Sequence, residues 1–258
     1  MKILVTLKWI PNPELPTSFF ESCDGQARVA DNVGRVVGPF DKAALELALK
    51  LRDQDLSAEI ICMTMGPSSS DEALRFAMGY GIEQVFRIDA PDLGPDSMLT
   101  GQMLTMAIEA LEEPPAIIIL GEQSGDWDQG IVGSIIAEKL QIPYLSRVVE
   151  MKSINNAVVV RQLAQNNEVT LKAERPVLIT ATLHPNTVLR FPSLKNVIVA
   201  KRRIPQVLPL EVPRSTIHIL KLTHIPPAPV SVEWVQGSVD QQLAVVKNKL
   251  MQWGIRIP

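Results

Sequence analysis

IIILGEQSGDWDQG, residues 117–130, decides how the chain is read. Its first four residues form an apolar run without alternation, as expected of a strand covered on both faces of a parallel sheet. The next ten, Gly121 to Gly130, hold three glycines, three carboxylates, two glutamines and a tryptophan, with no Lys or Arg. Ile131, Ile135 and Ile136 then fall on one side of a helix expected over residues 130–140, with Ala137 and Leu140 nearby. Strand, polar loop, helix is the order in which α/β sheets build ligand sites.

The same rhythm runs through the first half of the chain. Apolar runs at residues 2–8, 58–65, 85–89 and 116–120 predict four strands. Helical spacing predicts helices over 41–54, from the Ser-rich stretch at 68 to about Gly79, and over 96–113. Asp41 suits an N-cap, and Ser68, Ser69 and Ser70 offer capping hydroxyls. Turn signals around alternating apolar positions predict a small hairpin within residues 24–38. Strands separated by helices imply βαβ units and a parallel sheet.

From residue 147 the rhythm changes. RVVEMK, AVVVRQL and EVTLKAE alternate and are joined by INN and AQNN, which predicts an antiparallel hairpin series. PVLITATL is one more core strand. Pro205, Pro209, Pro213, Pro226, Pro227 and Pro229 then interrupt both helix and sheet. A final amphipathic helix is expected over 239–253. The expected fold is therefore a doubly wound, mostly parallel, Rossmann-like α/β domain over residues 1–204, carrying the antiparallel extension. Residues 205–258 form a Pro-rich arm and terminal helix.

The 258 residues are 46% hydrophobic and 21% charged, enough for a large core. A net charge of −3 gives no reason to expect nucleic-acid binding. No run approaches the ~18 apolar residues of a membrane helix, and no secretory signal is legible at the start; a cytoplasmic, soluble protein is expected. Cys23 and Cys62 are too few for a disulfide framework, and Cys62 reads as a buried small hydrophobe. His184, His218 and His224 lack metal-ligand spacing and read as structural.

GxGxxG and GxxxxGK[ST] are both absent. The ends of the strands nevertheless converge on candidate binding loops: Thr6 to Ile10, Gly38 to Asp41, Met65 to Ser70, and Gly121 to Gly133. Backbone amides at glycine-opened helix starts can hold a phosphate without a cation. Asp126 and Asp128 read either as metal ligands or an acid/base pair, or as helix-capping groups. Trp127 either stacks on a ring or packs on its own domain. These residues describe a nucleotide-shaped cleft without a set of catalytic side chains.

At this point several segments, in order, resemble the β subunit of electron-transfer flavoproteins. KILVTLKWIPNPE is similar to that family's opening strand and turn, and GPFDKAALELALKLRD to its NPFDEIALEEALRLKE segment. MGPSSSDEALRFAMGYGIEQVFRI is similar to GPxxxxExLRxALAMGADxAxxV. The opening stretch aligns with LVLLGKQAIDDDSNQTG. FPSLKNVIVAKRRIP is similar to YxSLPNIMKAKKKxI, and the tail to a PP-containing arm and terminal helix.

The resemblance implies a heterodimer with an α subunit that supplies most of an FAD site, with the C-terminal arm embracing that subunit. It implies electron transfer from dehydrogenases to a quinone-linked or other acceptor. It also implies a structural AMP in this subunit, or a second FAD in its place in electron-bifurcating members. Carried across, the nucleotide site comprises Thr6, Gly38, Pro39, Phe40, Asp41, Met65, Gly66, Gly121, Gln123, Ser124, Gly125, Asp126, Trp127, Asp128, Gln129, Gly130, Ile131, Val132 and Gly133. Phe40 is expected near the flavin edge, Leu194 as the anchor for partner dehydrogenases, and Lys201, Arg202 and Arg203 as the family's basic run or a solvated helix end. Two polar positions of the family loop are here Gly130 and Ile131, and its SLPN is SLKN. A universal-stress-like homodimeric nucleotide-binding module is the alternative from another class; an adenylating enzyme would need an SGGxDS-type motif, which is absent.

Overall fold

The computed structural model describes residues 1–14, 20–23, 26–29, 33–165, 167–215, 217–220 and 232–255. His224, Pro226, Pro227 and Pro229 lie outside the described residues. The chain divides into two compact units, Met1–Leu222 and Thr223–Pro258, so the first unit includes the beginning of the Pro-rich segment.

The first unit is built on a nine-stranded sheet. Its centre is β1 (Lys2–Thr6), hydrogen-bonded in parallel to β6 (Glu59–Gly66) on one side and β8 (Ile117–Gly121) on the other. Beyond β6 come β7 (Gln84–Asp89) and β13 (Gln206–Leu208). Beyond β8 come β12 (Val177–Ala181), then β9 (Tyr144–Ile154), β10 (Ala157–Ala164) and β11 (Asn167–Glu174). Within this sheet only β10 runs against the other strands, pairing antiparallel with both β9 and β11. The Pro-rich segment thus contributes an edge strand, the place where flanking prolines are tolerated.

Alternate side chains of the parallel strands enter separate cores, which is why these strands read as continuous apolar runs. Ile3, Val5, Ile117, Ile119, Val177 and Ile179 face α1 (Pro39–Gln54) and α2 (Asp71–Met78). Leu4, Ile118, Leu120 and Leu178 face α3 (Ser97–Glu109) and α4 (Val132–Leu140). Ile3, Leu4 and Val5 are fully buried, each burial being worth about 1.5–3 kcal/mol. Met103 and Ile136 complete the second core.

Four sequence expectations are corrected. α1 begins at Pro39 with Gly38 as N-cap, because a proline at the first helical position is pre-set for the helix and gives up an amide that has no partner there. Asp41 is therefore inside the first turn. α3 ends at Glu109 rather than Glu113. No side-chain hydroxyl caps α2, which follows a 3₁₀ turn at Ser68–Ser70. Among the described residues of 24–38 the expected hairpin gives way to other pairings: β4 (Gln26–Val29) pairs with β3 (Phe20–Cys23), and β5 (Arg35–Val37) with β2 (Trp9–Pro11). Alternation marks a strand without naming its partner.

A short helix of which the sequence reading offered only the end, α5 (Leu194–Ala200), follows β12. The second unit holds α6 (Val239–Gln252), started by a capping box of Ser238 and Gln241. No residue of α6 is buried; Leu243 is 52% and Trp253 71% exposed. No described helix is long and apolar enough to cross a membrane.

Candidate functional site

β1 is where the chain order reverses: β6 and β7 follow on one side, β8, β12 and β9 on the other. Ligands in such sheets bind beyond the carboxyl ends of the strands at this point. A cleft of about 260 Å³ lies there, floored by Thr6, Leu7, Met65, Gly66, Leu120 and Gly121. Gly121 lets α1 come close. A Cβ at that position would lie 2.7 Å from Asp41 Oδ1 and 2.9 Å from its backbone nitrogen.

Three helix starts open onto the cleft. Ser69 and Ser70 lead α2, Ser97 and Thr100 lie in the first turn of α3, and Gly130, Val132 and Gly133 lead α4. Gly130 has φ of 67°, a left-handed turn that glycine adopts without strain. Amides at helix starts carry partial positive charge, so the cleft offers an anion several donors.

The loop that lacked cations receives them from elsewhere in the chain. Lys8 Nζ lies 2.7 Å from Asp126, and Arg147 Nε 3.3 Å from Glu122. Arg35 lines the cleft and donates to the Trp9 carbonyl at 3.2 Å. Asp126 is thereby an ion-pair partner. Asp128 (φ 50°) is exposed and donates its backbone N–H to Ser124 O at 2.9 Å. Among the described residues no group of three or more His, Cys, Asp or Glu stands close enough together to hold a metal ion.

Asp41 is the most perturbed group in the cleft. Burial pushes its carboxyl up to about 7, against the Lys8 and Gly121 amides and the Lys8 charge, with Asp126 adding to the rise. Its Oδ2 accepts the Lys8 N–H at 2.8 Å. The cap expected of Asp41 on its own helix is thus directed at the turn after β1.

Thr6, Asp41, Met65, Gly66, Gly121, Gln123, Ser124, Asp126, Trp127, Gln129, Gly130, Val132 and Gly133 line the cleft. The other expected residues do not. Gly38 and Pro39 start α1, and Phe40 is half-buried beside Gly121. Gly125 packs toward Ile10 and Pro39. Ile131 is 48% exposed at the N-cap of α4. Leu194, 75% exposed, is the first residue of α5, with Lys201, Arg202 and Arg203 exposed after its end. His184 caps a 3₁₀ turn through Nδ1, which accepts the Asn186 N–H at 3.1 Å.

The sequence reading missed Arg35 and the wall made by residues 91–94, Ser97 and Thr100. PDLGPD at 91–96 carried the signal: a turn-rich run between a core strand and a helix, the same arrangement as the opening stretch.

Residues 27–203 match the family model for the electron transfer flavoprotein domain. The electron transfer flavoprotein subunit beta of Megasphaera elsdenii is 32% identical over 210 residues, which cover 79% of this chain and 76% of that protein. The mitochondrial electron transfer flavoprotein subunit beta of Oryza sativa subsp. indica is 28% identical over 258 residues, 96% and 98% of the two chains. The caffeyl-CoA reductase-Etf complex subunit CarD of Acetobacterium woodii is 29% identical over 195 residues, 72% and 70% of the two chains.

Proposed function

The chain belongs to the electron-transfer flavoprotein β-subunit family, and from that premise we propose that it pairs with an α subunit and carries electrons from dehydrogenases to a quinone-linked or other acceptor. The FAD of such a complex, held largely by the α subunit, supplies the redox chemistry. This chain contributes position, shape and electrostatics. Phe40, half-buried and outside the cleft, suits a wall of that shared flavin site.

The observation that carries the reading is the cleft at the β1–β8 reversal, fed by three helix starts. The residues fit an adenine nucleotide: apolar Leu7, Met63, Met65 and Leu120 suit a base, and the helix starts suit a phosphate. At about 260 Å³ the cleft is below the roughly 300–1,000 Å³ usual for ligand sites, which favours AMP over a complete FAD. Leu194 and the arm with α6 serve as contacts for dehydrogenases and for the α subunit. An exposed leucine can fill a partner's pocket, and α6 leaves an apolar stripe uncovered.

The test is the nucleotide content of the purified complex, by absorbance and by mass spectrometry after denaturation. One flavin and one AMP per heterodimer support the reading. Two flavins and no AMP favour a bifurcating subunit, and a colourless complex sinks both.

A further inference from the structure

The loop of residues 121–131 spans the cleft as well as bounding it. On the side of β1 it is tied by Asp126 to Lys8, 2.7 Å apart. On the opposite side Gln129 meets the Ser97 hydroxyl at the start of α3. Between these ties, Trp127 lies against Gly94: a Cβ built on Gly94 would stand 3.7 Å from Trp127 Cζ2. Gly94 has φ of 56°, so the chain turns there without a side chain to hold the indole away. Trp127 and Gly94 both line the cleft.

From this arrangement we infer that Trp127 is the specificity-determining residue of the cleft, a bar that admits a nucleoside monophosphate and excludes a ligand continuing past its first phosphate. The inference rests on reading the cleft as an adenine-nucleotide site. A phosphate held at the starts of α3 and α4 sits beside Ser97, Thr100, Gly130 and Gly133. A second phosphate, or anything attached to it, would have to leave between residues 91–94 and the loop, where the indole lies. A ring with two side-chain torsions blocks such a gap at little entropic cost. It also selects by size, because it brings no charge to reward extra phosphates. Ile131, the other unusual apolar residue of the loop, is 48% exposed and outside the lining, so this role falls to Trp127 alone of the two.

The experiment compares the wild-type α/β complex with Trp127→Ala and Trp127→Phe. Bound nucleotides are identified by mass spectrometry, and nucleotide-depleted complexes are titrated with AMP and with ADP. The wild type should carry a monophosphate and prefer AMP. Trp127→Ala should lose that preference by roughly tenfold or more while AMP affinity changes less, and Trp127→Phe should fall between. An unchanged AMP/ADP ratio in Trp127→Ala overturns the inference. So does an equal loss of both ligands, which marks a stacking role, and so does a wild type carrying a dinucleotide. A wild-type complex without any adenine nucleotide fails the site reading itself, and the bar falls with it.

Discussion

Lys8, in the turn after β1, holds its ammonium 2.7 Å from the carboxylate of Asp126 in the loop after β8. The pair joins the loops that follow the two parallel strands at which the chain order reverses. Lys8 is 37% and Asp126 16% exposed at the side chain, and partly solvated pairs contribute about 0–1 kcal/mol. Asp126→Asn should therefore leave the melting temperature nearly unchanged while freeing one end of the loop over the cleft. The expected outcome is faster nucleotide release from the complex, followed by stopped-flow displacement. A rate equal to wild type would show that the pair does not hold the loop.

Asp41 gives the fold a definite pH dependence. Its folded value, about 7, lies above the ordinary 3.8, so between these values the folded state binds more protons than the unfolded state. Stability then falls as pH rises. The contribution is complete below pH ~4 and lost once pH passes ~7. Lys8, which lowers the value, and Asp126, which raises it, both face this carboxyl. Asp41→Asn keeps the shape and an oxygen for the Lys8 amide without ever charging. Its melting curve should be flatter than wild type from pH 5 to 8.5, with the largest gain at the alkaline end. Parallel profiles for the two proteins would rule out Asp41 as the titrating group.

Gly121→Ala should destabilise the first unit by about 1–3 kcal/mol, because the added methyl meets Asp41 and the Phe40 Cβ, 2.8 Å away, at the rigid start of α1. Gly125→Ala is the control. Its methyl would meet first the end of the Ile10 side chain at 3.1 Å, which can turn aside. Denaturant midpoints for the two variants should differ clearly; equal midpoints would mean that α1 can retreat from β8.

These glycines show what the sequence made legible. Polar, glycine-rich loops after apolar runs located the cleft, because period and punctuation are local properties. The two-sided burial of β1, β6, β8 and β12 followed from their unbroken apolar character. The partners supplied by distant segments were not legible. Lys8 reaches Asp126 across 118 residues of chain, and Arg35 arrives through the pairing of β5 with β2, a register that alternation does not specify. Asp41 looked like an N-cap because its type fits one, whereas Pro39 had already set the helix start. Of helix α5 only the basic end at Lys201 to Arg203 was legible, because seven residues are too few for a periodic pattern to declare itself.

Glu46 and Arg190 supply the last prediction, at the base of the segment that presents Leu194. The Glu46 side chain is 4% exposed on α1 and receives the Arg190 guanidinium at 2.9 Å and its backbone N–H at 3.1 Å. Arg190 also reaches Asp53 at 2.6 Å, and Lys50 Nζ donates to the Asn186 carbonyl at 2.6 Å. One face of α1 thus grips residues 186–190, while Phe191 just beyond is 98% exposed. Arg190→Ala strands a buried carboxylate and should cost about 3–5 kcal/mol, at the lower end because Arg190 itself is partly exposed. Arg190→Lys should recover little, since an ammonium cannot reproduce the forked contact. Replacing both Glu46 and Arg190 by Leu should restore much of the loss. Leu194→Ala should change stability by less than about 0.5 kcal/mol yet slow electron transfer from a dehydrogenase. Urea midpoints together with dehydrogenase-coupled flavin reduction separate the two effects: a Leu194→Ala complex reduced at the wild-type rate would remove Leu194 from the docking surface.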